Sequence, residues 1–176
     1  YNHGFTGEGT MKNIEYEYRN LPIPGGGYVT GFLFDQDRKN VLYIRTDIGG
    51  CYRFSYENRH WDSLSESVNM FDLSETYPIA IATDFQQDET LYVISGINKE
   101  GTEGTFSISH DGGKTYTREI IPCFVHGNLN GRGTGYRLVQ NPKDKTTLYF
   151  ASQKDSRITV ILHFLTVRAV TDILSV

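Results

Sequence analysis

The chain is poor in cysteine and has no cluster of basic residues. Its two cysteines, Cys51 and Cys123, are too few to cross-link a small secreted scaffold and too far apart for a Cys-x-x-Cys motif. Its 17 Lys and Arg residues are outnumbered by 21 Asp and Glu residues, and the net charge of −4 offers no basic surface to nucleic acid or to an anionic membrane. We therefore expect no nucleic-acid partner, no membrane partner and no metal or redox chemistry at the cysteines.

Long hydrophobic runs and metal-ligand spacings are also missing. The most apolar stretch, residues 158–170, is interrupted by His163 and Arg168 and is shorter than the roughly 20 residues needed to cross a bilayer. No basic segment followed by an apolar segment opens the chain, so no signal peptide is visible. The five histidines are scattered without the spacing of metal ligands. We expect neither a membrane anchor nor a metal or other cofactor.

Glycine and aromatic residues are abundant, and they recur in a pattern. The 18 Gly, 12 Tyr and 10 Phe residues are typical of short strands and tight turns, which indicates an all-β fold. From Gly25 onward, short strands alternate with turns, and a Leu-Tyr pair returns at Leu42, Leu91 and Leu148, with spacings of 49 and 57 residues. Such a period is typical of a four-stranded propeller blade that carries loop insertions.

The repeats predict a β-propeller of four-stranded antiparallel blades of which about two and a half are present. A lead-in, 1–24, precedes a partial N-terminal propeller, 25–155, with blades at 25–65, 78–121 and 134–155. A ring closes with roughly four to eight blades, so these blades do not close one. Residues 156–176 lack the pattern and form an atypical tail. We expect truncation or a shifted reading frame there; the alternative is a divergent end that folds as a helix or strand.

The most specific local motif is Ser109–Tyr116, which fits the Asp-box pattern Ser-x-Asp-x-Gly-x-Thr-aromatic. The carboxylate of Asp111 is placed to accept backbone N–H groups within the turn, Gly113 permits a left-handed backbone angle, and Tyr116 is placed to anchor the turn. We therefore predict a structural role for Asp111 and no catalytic one.

A second aspartate, Asp47, stands where a predicted strand ends before Gly49 and Gly50. Asp before Gly-Gly is also a common turn former. This segment alone therefore does not decide between a turn-forming and a functional role for Asp47. In an antiparallel blade this turn lies at the opposite end from the Asp-box, beside the loops that lead into each blade. Two such loops are rich in glycine, 25–28 and 127–135, and neither has the spacing of a phosphate-binding loop. The sequence therefore predicts that Asp47 lies on the same face of the propeller as Tyr28, Asn128 and Arg132.

With these motifs in this order, the chain resembles the N-terminal part of glycoside hydrolase family 74, the xyloglucanases and xyloglucan-oligosaccharide cellobiohydrolases. The resemblance extends from about Tyr16 to Ser152. Two residues depart from the family pattern, because Pro24 stands where a Gly is usual and Tyr136 where a Glu is usual. The matching stretches are 16–20, 25–31, 42–53, the Asp-box and 128–138.

The resemblance implies a secreted enzyme of two seven-bladed propellers that cleaves the β-1,4-glucan backbone of xyloglucan, or a related plant cell-wall polysaccharide, with inversion. It implies that Asp47 is the general base and that the partner acid lies in the second propeller, outside this chain. The 176-residue chain alone is then expected to be inactive. Tyr28 is expected to stack on a sugar, and Asn128 and Arg132 are expected to bind hydroxyl groups, although Arg132 is equally typical of a solvated loop.

Two other functions remain as alternatives. The first is a non-catalytic Asp-box propeller that binds glycans or protein ligands, similar to the sortilin-type receptors. The second is a sialidase, which shares the Asp-box and would bind a carboxylate through Arg45, Arg132 and Arg137. The segment around Asp47 and the order of the other motifs favour the xyloglucanase.

Overall fold

The repeats fold into antiparallel sheets, which confirms the all-β prediction. The computed structural model describes residues 26–35, 38–66, 76–85, 87, 89–97, 103–129, 133–153, 160–167 and 173–175. Within these residues, twelve strands form three four-stranded sheets, and inside each sheet every strand pairs with the next one along the chain. This part of the chain contains no helix long and apolar enough to cross a membrane. The predicted lead-in, 1–24, lies outside the described residues.

The first two sheets contain the strands that the Leu-Tyr repeat predicts. Sheet one consists of β1 (Val29–Phe34), β2 (Val41–Thr46), β3 (Cys51–Ser55) and β4 (His60–Ser63). Sheet two consists of β5 (Pro78–Thr83), β6 (Leu91–Ser95), β7 (Gly104–Ser109) and β8 (Thr117–Ile121). Their β-branched and aromatic residues favour strands, and the Asp, Asn and Gly residues between them favour tight turns.

The third sheet is larger than the sequence predicts. It consists of β9 (Leu138–Gln140), β10 (Thr147–Gln153), β11 (Val160–Val167) and β12 (Ile173–Ser175). The sequence predicts only β9 and β10, whereas in the structure β11 pairs with β10 along its whole length. Strands β11 and β12 thus complete a four-stranded sheet with β9 and β10, which agrees with the alternative that the end of the chain folds as a strand. Its Val, Ile and Thr residues favour a strand even where they do not alternate with polar residues.

Consecutive sheets pack face to face through buried side chains. Tyr43 and Leu64 of the first sheet contact Ile81 and Leu91 of the second in one cluster. A second cluster joins the second and third sheets and includes Ile79, Phe106, Leu138 and Phe150. The first strands of the sheets, β1, β5 and β9, are neighbours in turn. This is the arrangement of successive blades in a propeller, where each sheet is buried against its neighbours.

The turns at one end of the strands are joined by charged side chains. Arg38, in the turn between β1 and β2, lies 2.8 Å from Asp35 and 2.8 Å from Glu89, which is in the turn between β5 and β6. The backbone N–H of Gly112, in the Asp-box, donates to the Glu89 carbonyl at 2.8 Å. The turn that carries Asp47 follows β2 and therefore lies at the opposite end of the strands.

Three buried side chains and the partly buried Tyr116 lead us to expect a loss of stability at alkaline pH. Burial raises the pKa of Cys51 and of Cys123 from 9.0 to about 12, and it also raises the pKa of Tyr92 and of Tyr116 above 10.0. The folded state thus holds these protons more tightly than the unfolded state. The stabilisation is complete below about pH 9 and is lost as the pH rises towards about 12. Urea denaturation at pH 7 and at about pH 10.5 measures this loss as a lower midpoint.

A separate variant measures how much of this loss of stability comes from the thiols of Cys51 and Cys123. In a Cys51→Ala/Cys123→Ala double variant, the urea midpoint is expected to fall less steeply with pH, while the part that comes from Tyr92 and Tyr116 remains. A midpoint that is constant or rises between the two pH values would contradict the prediction.

Candidate active site

Asp47 directly follows the central strand β2 in a tight turn. The turn is closed by two bonds to the Gly50 carbonyl, from the Thr46 N–H and the Thr46 hydroxyl, both at 3.0 Å. The Gly49 N–H donates to the Thr46 hydroxyl at 2.8 Å. Gly50 adopts φ = 81°, a left-handed value that favours glycine. The Thr-Asp-Ile-Gly-Gly segment therefore holds Asp47 in a fixed position at the end of its strand.

The glycine loop before β1 fits closely around Asp47. The Tyr28 N–H donates to Asp47 Oδ1 at 2.7 Å, and the Asp47 N–H donates to the Tyr28 carbonyl at 3.0 Å. Gly27 adopts φ = 105°, and a Cβ atom there would lie 2.9 Å from Asp47 Oδ1. A hydrogen bond to a carboxylate oxygen is charge-assisted and fixes its orientation. The side chain of Asp47 is buried, whereas Tyr28 is 62% exposed beside it.

Further backbone contacts extend this face across the second sheet. The Gly50 N–H donates to the Thr76 carbonyl, and the Gly96 N–H donates to the next carbonyl, that of Tyr77. The Gly127 N–H donates in turn to the Gly96 carbonyl at 3.0 Å. These bonds place the exposed Asn128 on the same end of the sheets as Asp47, although further along it.

Arg45 joins the first sheet to the loop that leads into β9. Its guanidinium is buried and donates to the Thr30 hydroxyl at 2.6 Å, to the Gly133 carbonyl at 2.7 Å and to the Gly135 carbonyl at 2.8 Å. All three acceptors are neutral. Burial disfavours the charged guanidinium and lowers the pKa of Arg45 to about 10. Arg137 also donates to the Gly133 carbonyl, at 2.9 Å, so two cations hold the same loop.

The Asp-box carboxylate is held by its own turn, as the sequence predicts. Asp111 accepts hydrogen bonds from the Thr115 hydroxyl at 2.6 Å, the Thr115 N–H at 2.9 Å and the Ser109 hydroxyl at 2.8 Å. These bonds, those from Thr115 first, hold the pKa of Asp111 well below its ordinary value. Gly113 adopts φ = 90°, and the Tyr116 hydroxyl donates to the Leu64 carbonyl of the first sheet at 2.9 Å. The contacts of Asp111 confirm a structural role.

We expect Asp111→Ala to lower the urea midpoint at pH 7 and to leave oligosaccharide binding unchanged. Because the carboxylate has a lower pKa in the folded state, its stabilisation is present above about pH 3.8 and is lost as the pH falls below that value. The difference in midpoint between the wild type and the variant should therefore shrink in acid. Equal stability of the two proteins at pH 7, or a loss of binding in the variant, would contradict this prediction.

The structure brings together some of the residues that the sequence singles out. Tyr28 contacts Asp47 directly, and Asn128 lies further along the same end of the sheets. Arg132 falls outside the described residues. Two features of this face were not predicted: Arg45 holds the loop before β9, and Tyr136 in that loop is 66% exposed. The described residues contain no group of three or more His, Cys, Asp or Glu side chains that could hold a metal ion.

These observations define the class of protein to which the chain belongs. Successive four-stranded sheets that pack face to face, with an Asp-box between the third and fourth strands of one of them, form a segment of an Asp-box β-propeller.

Comparison with known proteins identifies the relatives of this segment. A xyloglucanase of a Paenibacillus species is 34% identical over 142 residues, which cover 78% of this chain and 14% of the relative. A probable oligoxyloglucan-reducing end-specific xyloglucanase of Neosartorya fischeri is 33% identical over 138 residues, which cover 78% of this chain and 17% of that protein. No family model matches the chain. The chain spans less than a fifth of the length of these curated relatives.

Solved structures agree with these relatives. The glycoside hydrolase family 74 xyloglucanase from Xanthomonas campestris superposes with a TM-score of 0.70 at 30% identity, covering 85% of this chain and 21% of that one. The family 74 enzyme from Niastella koreensis superposes with a TM-score of 0.70 at 28% identity, covering 84% of this chain and 21% of that one. The resemblance to glycoside hydrolase family 74 is thereby confirmed, and the chain is related to one segment of those enzymes.

Proposed function

We propose that this segment supplies the general base, Asp47, to an inverting hydrolase that cleaves the β-1,4-glucan backbone of xyloglucan. The observation that carries the proposal is the pair of hydrogen bonds between Asp47 and Tyr28, which fixes a carboxylate beside an exposed aromatic ring at the end of β2. The similarity of the chain to xyloglucanases supports the choice of substrate. Because this substrate is a plant cell-wall polysaccharide, we place the enzyme outside the cell.

The chemistry requires two carboxyl groups. In an inverting glycosidase one carboxylate removes a proton from the attacking water while a carboxylic acid protonates the leaving oxygen, and the two are roughly 6.5–9.5 Å apart so that the water fits between them. In our proposal Asp47 activates the water, and a second propeller supplies the acid. Tyr28 stacks on a sugar ring of the substrate, and Asn128 and Arg132 bind its hydroxyl groups.

The contacts of the arginines disfavour a sialidase. A sialidase needs guanidinium groups that face an anionic ligand, but Arg45 is buried and donates to Thr30, Gly133 and Gly135. Arg137 donates to the carbonyl groups of Gly133 and Ala151. Both side chains thus hold the loop before β9. A non-catalytic propeller, by contrast, differs from our proposal only in turnover, so an assay must separate them.

The test is hydrolysis of xyloglucan by the full-length gene product. We expect proton NMR of the first product to detect the α-anomer at the new reducing end, because the β-linkage is inverted. The 176-residue chain assayed alone is expected to release no product, since it lacks the second propeller. A first product of the β-configuration would exclude inversion. Cleavage of a sialoside but not of xyloglucan would reverse the assignment, and binding without any turnover would favour the non-catalytic propeller.

A further inference from the structure

Strand β1 contains a β-bulge at Thr30, close to the candidate active site. Gly31 pairs with Arg45 of β2. The next pair towards the start of β1 is Val29 with Thr46, so the pairing skips Thr30. A bulge of this kind bends its strand locally and re-aims the side chains beside it, and bulges are frequent next to active sites.

The bulge decides which residue of β1 meets Asp47. If the regular pairing of Gly31 with Arg45 continued, Val29 would lie opposite Asp47. Because the bulge shifts the register by one residue, Tyr28 takes this place instead. The Tyr28 N–H donates to Asp47 Oδ1 at 2.7 Å, and the Asp47 N–H donates to the Tyr28 carbonyl at 3.0 Å. The hydrogen bond that orients the carboxylate therefore depends on the bulge.

The side chains of Thr30 and Arg45 hold the bulge in place. The Thr30 hydroxyl accepts a hydrogen bond from Arg45 Nη1 at 2.6 Å and donates one to the Arg45 carbonyl at 3.3 Å. Both residues are buried, since Thr30 is 3% exposed and Arg45 is 2% exposed. A Cβ atom at Gly31 would lie 2.9 Å from Arg45 Nε, so the glycine leaves the space that the guanidinium fills. The Gly135 N–H donates to the Thr30 carbonyl at 3.3 Å and ties the bulge to the loop before β9.

Sheet two provides an internal comparison. Its first strand has a bulge at the same position, because the pairing of β5 with β6 skips Ile79, and Ile94 stands where sheet one has its arginine. Both isoleucines are buried in the apolar cluster between sheets two and three. Gly96 takes the place of Asp47 there, and its N–H donates to the Tyr77 carbonyl at 3.1 Å. The bulge thus belongs to the blade, but sheet two holds it with an apolar pair and sheet one with hydrogen bonds.

We propose that Thr30 and Arg45 are positioning residues for the hydrolysis. By fixing the bulge they keep the Tyr28 N–H on Asp47, and this bond holds the carboxylate in the orientation that activation of the water needs. The inference rests on the proposed function, since that function assigns the reaction step to Asp47. The two side chains act through the backbone of Tyr28, and they must match each other, because a buried guanidinium N–H that faces an apolar side chain loses its acceptor.

The test is to measure kcat and KM for xyloglucan with variants of the full-length gene product. Thr30→Val keeps the shape of the side chain but removes both of its hydrogen bonds to Arg45. We expect kcat to fall about ten- to a hundredfold, since a displacement of about 1 Å in a reacting group can cost roughly 10²-fold, while KM stays close to that of the wild type. Thr30→Ser retains the hydroxyl and should restore kcat.

Thr90→Val is the matched control, because it removes an equally buried hydroxyl at the opposite end of the strands. Thr90 is 2% exposed, and its hydroxyl lies within hydrogen-bond distance of His110 Nδ1, at 3.2 Å. We expect the urea midpoint to fall in both valine variants and kcat to fall only in Thr30→Val. Arg45→Lys tests the same bond from its other partner. Lysine keeps the charge but lacks the planar fork of donors, so kcat should fall here as well.

The outcomes separate this inference from the proposed function. Wild-type kcat in Thr30→Val, beside an inactive Asp47→Asn, would overturn the positioning role and leave the proposed function in place. An equal loss of kcat in Thr30→Ser or in Thr90→Val would also overturn it, because the hydroxyl at the bulge would not be the cause. If Thr30→Val does not fold, Arg45→Lys decides, and wild-type kcat in that variant would overturn the inference. A wild-type rate in Asp47→Asn would contradict the proposed function itself.

Discussion

Asp47→Asn is expected to lower the turnover of xyloglucan by the full-length gene product by a factor of about 10² to 10⁴. Asparagine has nearly the same shape, and its Oδ1 can still accept the Tyr28 N–H that lies 2.7 Å from the carboxylate oxygen. The turn at the end of β2 should therefore keep its structure. The amide lacks the basicity to take a proton from water, so the variant should retain oligosaccharide binding while it loses catalysis.

The measurement is the initial rate of product release, with the dissociation constant of an oligosaccharide measured in parallel. Asp111→Asn is the matched control, because it makes the same chemical change in a carboxylate at the opposite end of the strands, and it should leave the rate unchanged below its unfolding temperature. Azide, a nucleophile that needs no deprotonation, should restore product formation in Asp47→Asn. A rate close to that of the wild type in Asp47→Asn would falsify the assignment of the base.

The fold follows closely from local features of the sequence. Strands β2 and β6 begin with or contain the repeated Leu-Tyr pair, and the turns between strands carry Asp, Asn and Gly residues that favour them. The strand signal and the turn signal both depend on residues that are close in the sequence, so they predict strands and turns without knowledge of the tertiary structure. Strand β11 has no such signal, because the run 158–170 that contains it does not alternate. The pairing of β11 with β10 depends on contacts that the sequence does not encode locally.

The candidate site was predictable to the extent that it depends on topology. The alternation of turns between the two ends of an antiparallel sheet places Tyr28 and Asp47 at the same end, and the structure brings them into contact. The role of Arg45 was not predictable. Its acceptors, Gly133 and Gly135, are 88 and 90 residues away in the sequence, and only the packing of the sheets brings them together.

This dependence on packing also explains the exposed ring of Tyr136. In the sequence Tyr136 departs from the family pattern, but a tyrosine beside Gly135 could equally be buried in the core or exposed to solvent. Its exposure follows from the bonds that hold the neighbouring backbone against Thr30 and Arg45. Features that depend on such long-range contacts are therefore the part of the site that requires the structure.

The second large effect is expected from a single methyl group at Gly49, beside Asp47. A Cβ atom there would lie 2.0 Å from the carbonyl oxygen of Gly26, a backbone atom that cannot turn aside as a flexible side chain would. In Gly49→Ala the segment from Gly26 to Tyr28 must move, and the N–H of Tyr28 then leaves the carboxylate that it orients. Since a displacement of about 1 Å in a reacting group can cost roughly 10²-fold, we expect a loss of turnover of about that size.

Gly26→Ala is the matched control for this effect. It adds a methyl group to the other member of the Gly26–Gly49 contact, so it tests whether the loss of a glycine alone lowers turnover. Among the described residues, no heavy atom lies within 4 Å of a Cβ atom at Gly26, so this variant should keep the turnover of the wild type. Gly49 does not adopt a left-handed backbone angle, so alanine adds no backbone strain of that kind there. Urea denaturation of both variants tests whether the fold survives. An equal loss of turnover in the two variants, or none in Gly49→Ala, would show that the contact between Gly26 and Gly49 does not position Asp47.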